Sequence, residues 1–398
     1  MTDKKNILIL CYDNYQRQPR VLRTIEALEK DYTISVAGHS ELTQHKINFI
    51  NLNHNFQNNN NVSLWYFNKP AIIRFPFSFY HKYVKQKYFY KPFYYELLYW
   101  THSRKSDFQL LKKINYELII SHGPDNLPLA IKLGANKVPV IFNAHEFYER
   151  EFEENENWKK FTQPYYNYLI QTYLKEVDLM FCVCESIQNE YLKKCKIKSL
   201  VITNATKYND LKPTQLGNKI RIIHHGAAIR SRELERMAEL MDFLGEEYEL
   251  TFMLVKTDLN YYNEFFAKYS VNSRIKFTEP VKVNEIPNFC NQYDIGIFIL
   301  PPVNYNWENA LPNKVFEYVQ ARLALAVSPN VNMRNLVNKY KLGVVAEDYT
   351  TKSMASALMK ITREEISQYK YSSNQYAIKL SAEENYKVML QSVNQLIN

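Results

Sequence analysis

The sequence predicts an α/β fold of two open layers of parallel strands, on three observations. Short apolar runs alternate with longer amphipathic stretches, the pattern of βαβ units. The series occurs twice along 398 residues, a length suited to two domains. A polar stretch carrying Pro213 and Gly217 separates the two series. In the first half, strands are expected at Ile7–Cys11, Thr33–Ala37, Leu118–Ser121, Val140–Phe142, Leu179–Val183 and Leu200–Ile202. Between the first two, Val21, Leu22, Ile25 and Leu28 fall at helical spacing behind Pro19, a residue suited to a first turn. The second half reads as a strand Ile220–His224, a helix around Glu233–Leu244, strands Leu250–Leu254, Ile275–Phe277 and Ile295–Leu300, a helix from Asn313 to Gln320, and a strand Ala324–Val327. The domains expected are therefore 1–205, a linker 206–218, and 219–380, with a final helical segment 381–398 free to pack back on the first domain. Ligands of such sheets bind just beyond the carboxyl ends of the strands, so function is sought where strands meet loops.

Composition narrows the chemistry. Hydrophobic residues make up 46% and charged residues 23%, the balance of a globular chain. The formal charge of +9 favours an anionic partner. Glycine supplies only 8 residues, against a usual ~7%, and neither a G-x-G-x-x-G nor a Walker loop is present, which argues against dinucleotide and P-loop chemistry. Five cysteines argue against a disulfide framework and for a reducing compartment. Cys182 and Cys184 lie in an apolar run with no second Cys/His pair at zinc spacing, so they read as core filler and no metal site is expected. The run Ile7–Cys11 is too short for a leader, and no run approaches the ~18 residues of a spanning helix. A cytoplasmic protein is expected.

The most specific segment runs Asn309-Ala310-Leu311-Pro312-Asn313-Lys314-Val315-Phe316-Glu317-Tyr318. Pro312 is placed to start a helix, whose first free N–H groups make an anion site. Glu317 follows about one turn in, an acceptor able to take both hydroxyls of a ribose. The plainer reading is an ordinary strand–loop–helix with Lys314 and Glu317 in water.

With Gln18-Pro19-Arg20-Val21 and Arg23, Asn143-Ala144-His145-Glu146, Val177-Asp178 with Glu185-Ser186, Ile202-Thr203-Asn204-Ala205, His225-Gly226-Ala227 with Arg232, and Glu285 before Tyr293-Asp294-Ile295-Gly296, this segment resembles the retaining, family-4-like glycosyltransferases of the GT-B fold. The resemblance runs nearly end to end. It implies two Rossmann-like domains with parallel sheets facing a central cleft, and a C-terminal half that binds a nucleotide-diphosphate sugar with no other cofactor. Glu317 would hold the ribose hydroxyls; Gly226 and the backbone at Leu311, Pro312 and Asn313, with Lys314, would lie along the donor. His145 would lie near the transferred sugar, and Arg20 and Glu146 on the acceptor side. Two departures stand out. Many relatives carry an acid where this chain has Asn309, and an Arg where it has Ala228. The cationic role falls to Arg232, with Arg230 beside it and Lys256 after the next strand. Such fixed cations stabilise the charge that develops on a departing diphosphate, and no D-x-D stands at a strand end to hold a metal for that task.

Residues 65–113 interleave aromatic side chains with Lys and Arg, among them Arg104. That composition suits an anionic membrane surface, near a glycan or polyprenyl-linked acceptor. It suits equally an aromatic helical layer packed on the sheet. No nucleic-acid signature accompanies it. The function expected is therefore sugar transfer with retention in cell-surface polysaccharide assembly, by an enzyme peripheral to the membrane. A sugar-nucleotide 2-epimerase and a catalytically silent binding subunit stand as alternatives.

Overall fold

The computed structural model describes residues 4–39, 47–52, 92–135 and 137–397. Two compact units emerge: Met1–Cys182 with Gln188–Val201 and Val388–Asn398, and Val183–Ile187 with Ile202–Lys387. Each is an α/β layer. Among the described residues the first holds β1 (Asn6–Asn14), β2 (Thr33–His39), β3 (Asn48–Asn51), β4 (Leu118–His122), β5 (Val140–Asn143), β6 (Leu179–Cys182) and β7 (Ser199–Val201), in the order β3-β2-β1-β4-β5-β6-β7. The second holds β8 (Ile220–Ala227), β9 (Tyr248–Val255), β10 (Ile275–Thr278), β11 (Ile295–Phe298), β12 (Ala324–Val327) and β13 (Gly343–Val345), in the order β10-β9-β8-β11-β12-β13. Every pairing is parallel.

The central strands are buried on both faces, which is why they read as unbroken apolar runs. Ile7, Leu8, Ile9 and Leu10 of β1 are wholly buried, as are Ile222 and Ile223 of β8. In each sheet the strand order reverses once, between β1 and β4 and between β8 and β11. Beyond the carboxyl ends of such a pair the flanking loops diverge and leave room for a ligand.

The helix expected over Glu233–Leu244 is broken into a 3₁₀ turn Arg230–Arg232, a short helix Glu235–Ala238 and a second 3₁₀ turn Glu239–Asp242. Glu233 takes a left-handed φ of 47°, which ends the first turn, and the Leu234 N–H donates to the Tyr261 hydroxyl at 3.1 Å. Leu234, Met237, Leu240, Met241 and Leu244 are all buried, so the apolar spacing was a true sign of burial though not of one helix. The strands expected to reach Val183 and Leu300 end at Cys182 and Phe298.

The stretch 206–218 is a strap bound to the second unit. The Asn209 N–H donates to Gln320 Oε1 at 3.1 Å, and Arg322 Nη2 donates to the Asn209 carbonyl at 2.6 Å. Residues 202–205 group with that unit, and within the helix Ala382–Ile397 only residues from Val388 onward belong to the first. There Asn394 Oδ1 accepts from the Tyr32 hydroxyl, and the Ile397 carbonyl from Lys5 Nζ.

Of the aromatic and basic segment 65–113, residues 65–91 lie outside the described residues. The remainder forms helices Pro92–Tyr99 and His102–Leu111. Tyr95 and Tyr99 are buried, and Arg104 is 1% exposed, with Nη1 donating to the Tyr99 hydroxyl and the Asp125 carbonyl, both at 3.0 Å. Arg104 is therefore not a surface cation; this part of the segment is an aromatic layer on the sheet. Among the described residues no helix is long and apolar enough to cross a membrane.

Candidate active site

In the second unit the end of β8 meets the start of the helix Asn313–Gln320. Gly226 has φ of 137°, a conformation that L side chains avoid. A methyl group there would lie 3.1 Å from Lys314 Nζ and 3.7 Å from Arg232 Nη1, so the two cationic heads face the same glycine. Lys314 is 5% exposed, and its Nζ lies 3.9 Å from the centroid of the Phe298 ring with no hydrogen-bond acceptor among the described residues. Burial, and next the charge of Arg232, hold the Lys314 ammonium well below its usual range; Glu317 offsets this only in part. Burial also lowers the pKa of Arg232. Neither cation has an ion-pair partner among the described residues. Two unit charges a few ångströms apart repel by roughly 2–4 kcal/mol at an effective dielectric of 20, so the pair is arranged for an anion.

Glu317 faces elsewhere. Its Oε2 lies 3.3 Å from His225 Nε2, and both side chains are buried. Burial and then Lys314 push the His225 imidazole down to about 3, which keeps it neutral. His224, fully buried, donates its Nδ1–H to the Ile297 carbonyl at 3.1 Å. Pro312 is the N-cap of the helix and no side chain caps it, leaving the N–H groups of Asn313 and Lys314 free of intrahelical partners. The preceding loop is held from behind: Asn332 Nδ2 donates to the Asn309 carbonyl at 2.7 Å and to Ser186 Oγ at 2.9 Å. The Asn309 side chain itself donates to the Tyr305 carbonyl at 2.9 Å.

The structure thus brings together Gly226, Arg232, Lys314 and Glu317, with Leu311, Pro312 and Asn313 on the adjoining turn. It directs Arg230 and Lys256 otherwise. Arg230 Nη2 pairs with Glu264 at 2.6 Å, both side chains more than half exposed, and Lys256 Nζ pairs with Glu279 at 2.9 Å. Arg230 also stacks over Tyr261 and Lys256 over Tyr262. The second cation at Gly226 is therefore Lys314, from the helix, and not Lys256.

In the first unit a polar cluster gathers beyond β4 and β5, opposite the start of the helix Pro19–Leu28. Arg20 is buried and its Nε donates to Asn143 Oδ1 at 2.7 Å. His122 Nδ1 and His145 Nε2 lie 2.9 Å apart, their rings edge to face at 73°. Burial first, then Arg20 and Arg23, push His145 down to about 3. Burial pushes Glu146 up to about 7; burial with Glu146 and Asp125 pushes Glu151 up to about 8. The sequence reading gave no role to His122, and quoted His225 only within a motif, although each directly follows an apolar strand run.

Residues 57–206 match the family model described as Glycosyltransferase Family 4. Similar solved structures include sucrose-phosphate synthase from Thermosynechococcus elongatus, at 11% identity over 99% of each chain and a TM-score of 0.69. HepE from Anabaena, in complex with UDP-glucose, is 11% identical over 98% of this chain and 100% of its own, with a TM-score of 0.67. The chain has the GT-B fold of these structures, and residues 57–206 carry its likeness to Glycosyltransferase Family 4. A UDP-forming α,α-trehalose-phosphate synthase from Burkholderia xenovorans is also similar to this chain, at 11% identity over 99% and 100% of the chains and a TM-score of 0.65. No curated protein matches significantly.

Proposed function

We propose that the second unit binds a nucleotide-diphosphate sugar and that the enzyme transfers the sugar, with retention, to a hydroxyl of a glycan or polyprenyl-linked acceptor in cell-surface polysaccharide assembly. One observation carries the donor reading: Arg232 and Lys314 face Gly226 together, with no carboxylate paired to either among the described residues. Two buried cations held this way are complementary to a diphosphate. The free N–H groups of Asn313 and Lys314 add partial positive charge on the same turn. Glu317 accepts from the ribose hydroxyls, with the neutral His225 ring 3.3 Å from its carboxylate.

In the reaction the bond from the anomeric carbon to the diphosphate oxygen breaks, and its electron pair leaves with the diphosphate. The acceptor oxygen bonds to that carbon and gives its proton to the departing phosphate. Arg232 and Lys314 act on the charge that grows on the leaving group, so they stabilise the transition state more than the bound donor. Arg20, His145 and Glu146 belong to the acceptor side of the first unit. The UDP and UDP-glucose complexes of HepE make uracil the first base to test.

The experiment is a thermal-shift screen of UDP-, GDP- and dTDP-sugars, followed by a transfer assay. A donor at 100 times its Kd stabilises by about 2.7 kcal/mol. Stabilisation by one nucleotide class, lost in Arg232→Met and in Glu317→Ala, is the expected result. No shift with any of the three classes would overturn the reading.

A further inference from the structure

His145 is the histidine that the sequence singles out, yet the structure gives it a partner that the proposed function leaves unused. His122 ends β4, and its backbone is set by the pairing of His122 with Asn143 in the sheet. Its ring is 4% exposed, and only Nδ1 has a partner, His145 Nε2 at 2.9 Å; Nε2 is buried with none among the described residues.

A hydrogen bond between two imidazoles needs one N–H and one bare nitrogen. Two neutral arrangements satisfy it. If His145 Nε2–H donated, His122 would carry its proton on Nε2 and bury an N–H with no acceptor, the rarer and costlier kind of orphan. If His122 Nδ1–H donates, the buried His122 Nε2 is a bare lone pair instead. Burial first, and then the charged neighbours, keep both rings neutral, so these two arrangements are the ones to compare. Arg20 acts on both rings and Arg23 on His145, and these cations oppose an imidazolium. Glu146 follows His145 in the chain, Cys182 feels the charge of Arg20, and the Tyr148 hydroxyl accepts the His145 backbone N–H at 3.2 Å.

We propose that His122 is a positioning residue that donates its Nδ1–H to His145 Nε2, so that His145 meets the ligand of the first unit as an Nδ1–H hydrogen-bond donor and not as a base. The proposal rests on the glycosyltransferase reading only for the ligand. The tautomer is a property of the free protein. An N–H fixed at Nδ1 suits a ligand oxygen that gains negative charge or accepts a hydrogen bond, and it cannot take the acceptor's proton. That agrees with a reaction in which the departing phosphate takes it.

The test is long-range ¹H–¹⁵N NMR of the full chain labelled at histidine, with resonances assigned through His122→Asn and His145→Gln. The expected result is a His145 with a protonated Nδ1 and a bare Nε2, unchanged from pH 8 down to pH 5. A protonated Nε2, or a ring that titrates between pH 6 and 7, would overturn it. Variants separate positioning from folding. Asn at 122 offers an N–H near the position of Nδ1, whereas Asp offers only acceptors. His122→Asn should keep kcat within about threefold, and His122→Asp should raise the His145 pKa and lower kcat by at least about tenfold, the rate equivalent of one ordinary hydrogen bond. Equal activity of the two variants would overturn the proposal. Absence of transfer from every donor would refute the proposed function and leave the NMR result to decide the histidine pair.

Discussion

Replacing Lys314 by methionine should make the free protein more stable and its complex with a nucleotide diphosphate weaker. The free side chain buries a polar head with no acceptor among the described residues, which costs about 1–3 kcal/mol. Its cation–π contact with Phe298 returns about 0.5–2 kcal/mol when charged, and a methionine sulfur keeps part of that. At mid-range the balance favours Met by roughly 1 kcal/mol, or roughly 2–4 °C in Tm for a domain of this size. Binding moves the other way. Loss of one charge-assisted contact to phosphate costs about 1.5–3 kcal/mol, a 10- to 150-fold weaker Kd. The pH dependence adds a check. Burial lowers the folded pKa of Lys314 below 10.5, so the unfolded chain binds the proton more readily. Wild-type stability therefore rises with pH between the depressed folded value and 10.5, and this slope should vanish in the variant. Thermal unfolding with and without UDP, from pH 7 to 9.5, measures all three effects. A Lys314→Met protein that is less stable when free and binds UDP unchanged would refute the reasoning.

Three further outcomes follow from the same geometry. Gly226→Ala puts a side chain at φ of 137°, a strain of about 1–3 kcal/mol, and its methyl pushes on Lys314; calorimetry should show both a lower Tm and weaker UDP binding. Arg230→Ala and Lys256→Ala remove charges already paired with Glu264 and Glu279, so each should weaken UDP binding less than tenfold, and Arg232→Met more than tenfold. Glu151 has its pKa raised from 4.5 to about 8, so its stabilising contribution is full below 4.5 and lost as pH rises through 8. Glu151→Gln should flatten that part of the Tm profile and raise Tm at pH 8.5 relative to wild type.

How far the sequence spoke depended on what each residue does. β1, β4, β5, β8 and β12 were legible because they are buried on both faces and written in Val, Ile, Leu and Ala. β3 and β13 were not: they are edge strands, Asn-Phe-Ile-Asn and Gly-Val-Val, too short for a pattern. The helix Asn313–Gln320 was legible to the residue, since Pro312 fixes its start. The motif around it carried the glycosyltransferase reading through resemblance. The identity of the second cation was not legible, because Lys256 and Lys314 look alike in one dimension. Only the fold shows that Glu279 takes the first while the second is left buried beside Gly226. Arg104 misled for the converse reason: a residue type nearly always solvated here anchors carbonyl and hydroxyl groups inside the layer.

The first unit is completed by residues 388–398, almost the whole chain after the strand that begins it. During synthesis on the ribosome, the unit that emerges first must wait for a segment that follows the whole of the second unit. Loss of residues 388–397 would thus injure the sheet made earliest, through Tyr32 and Lys5.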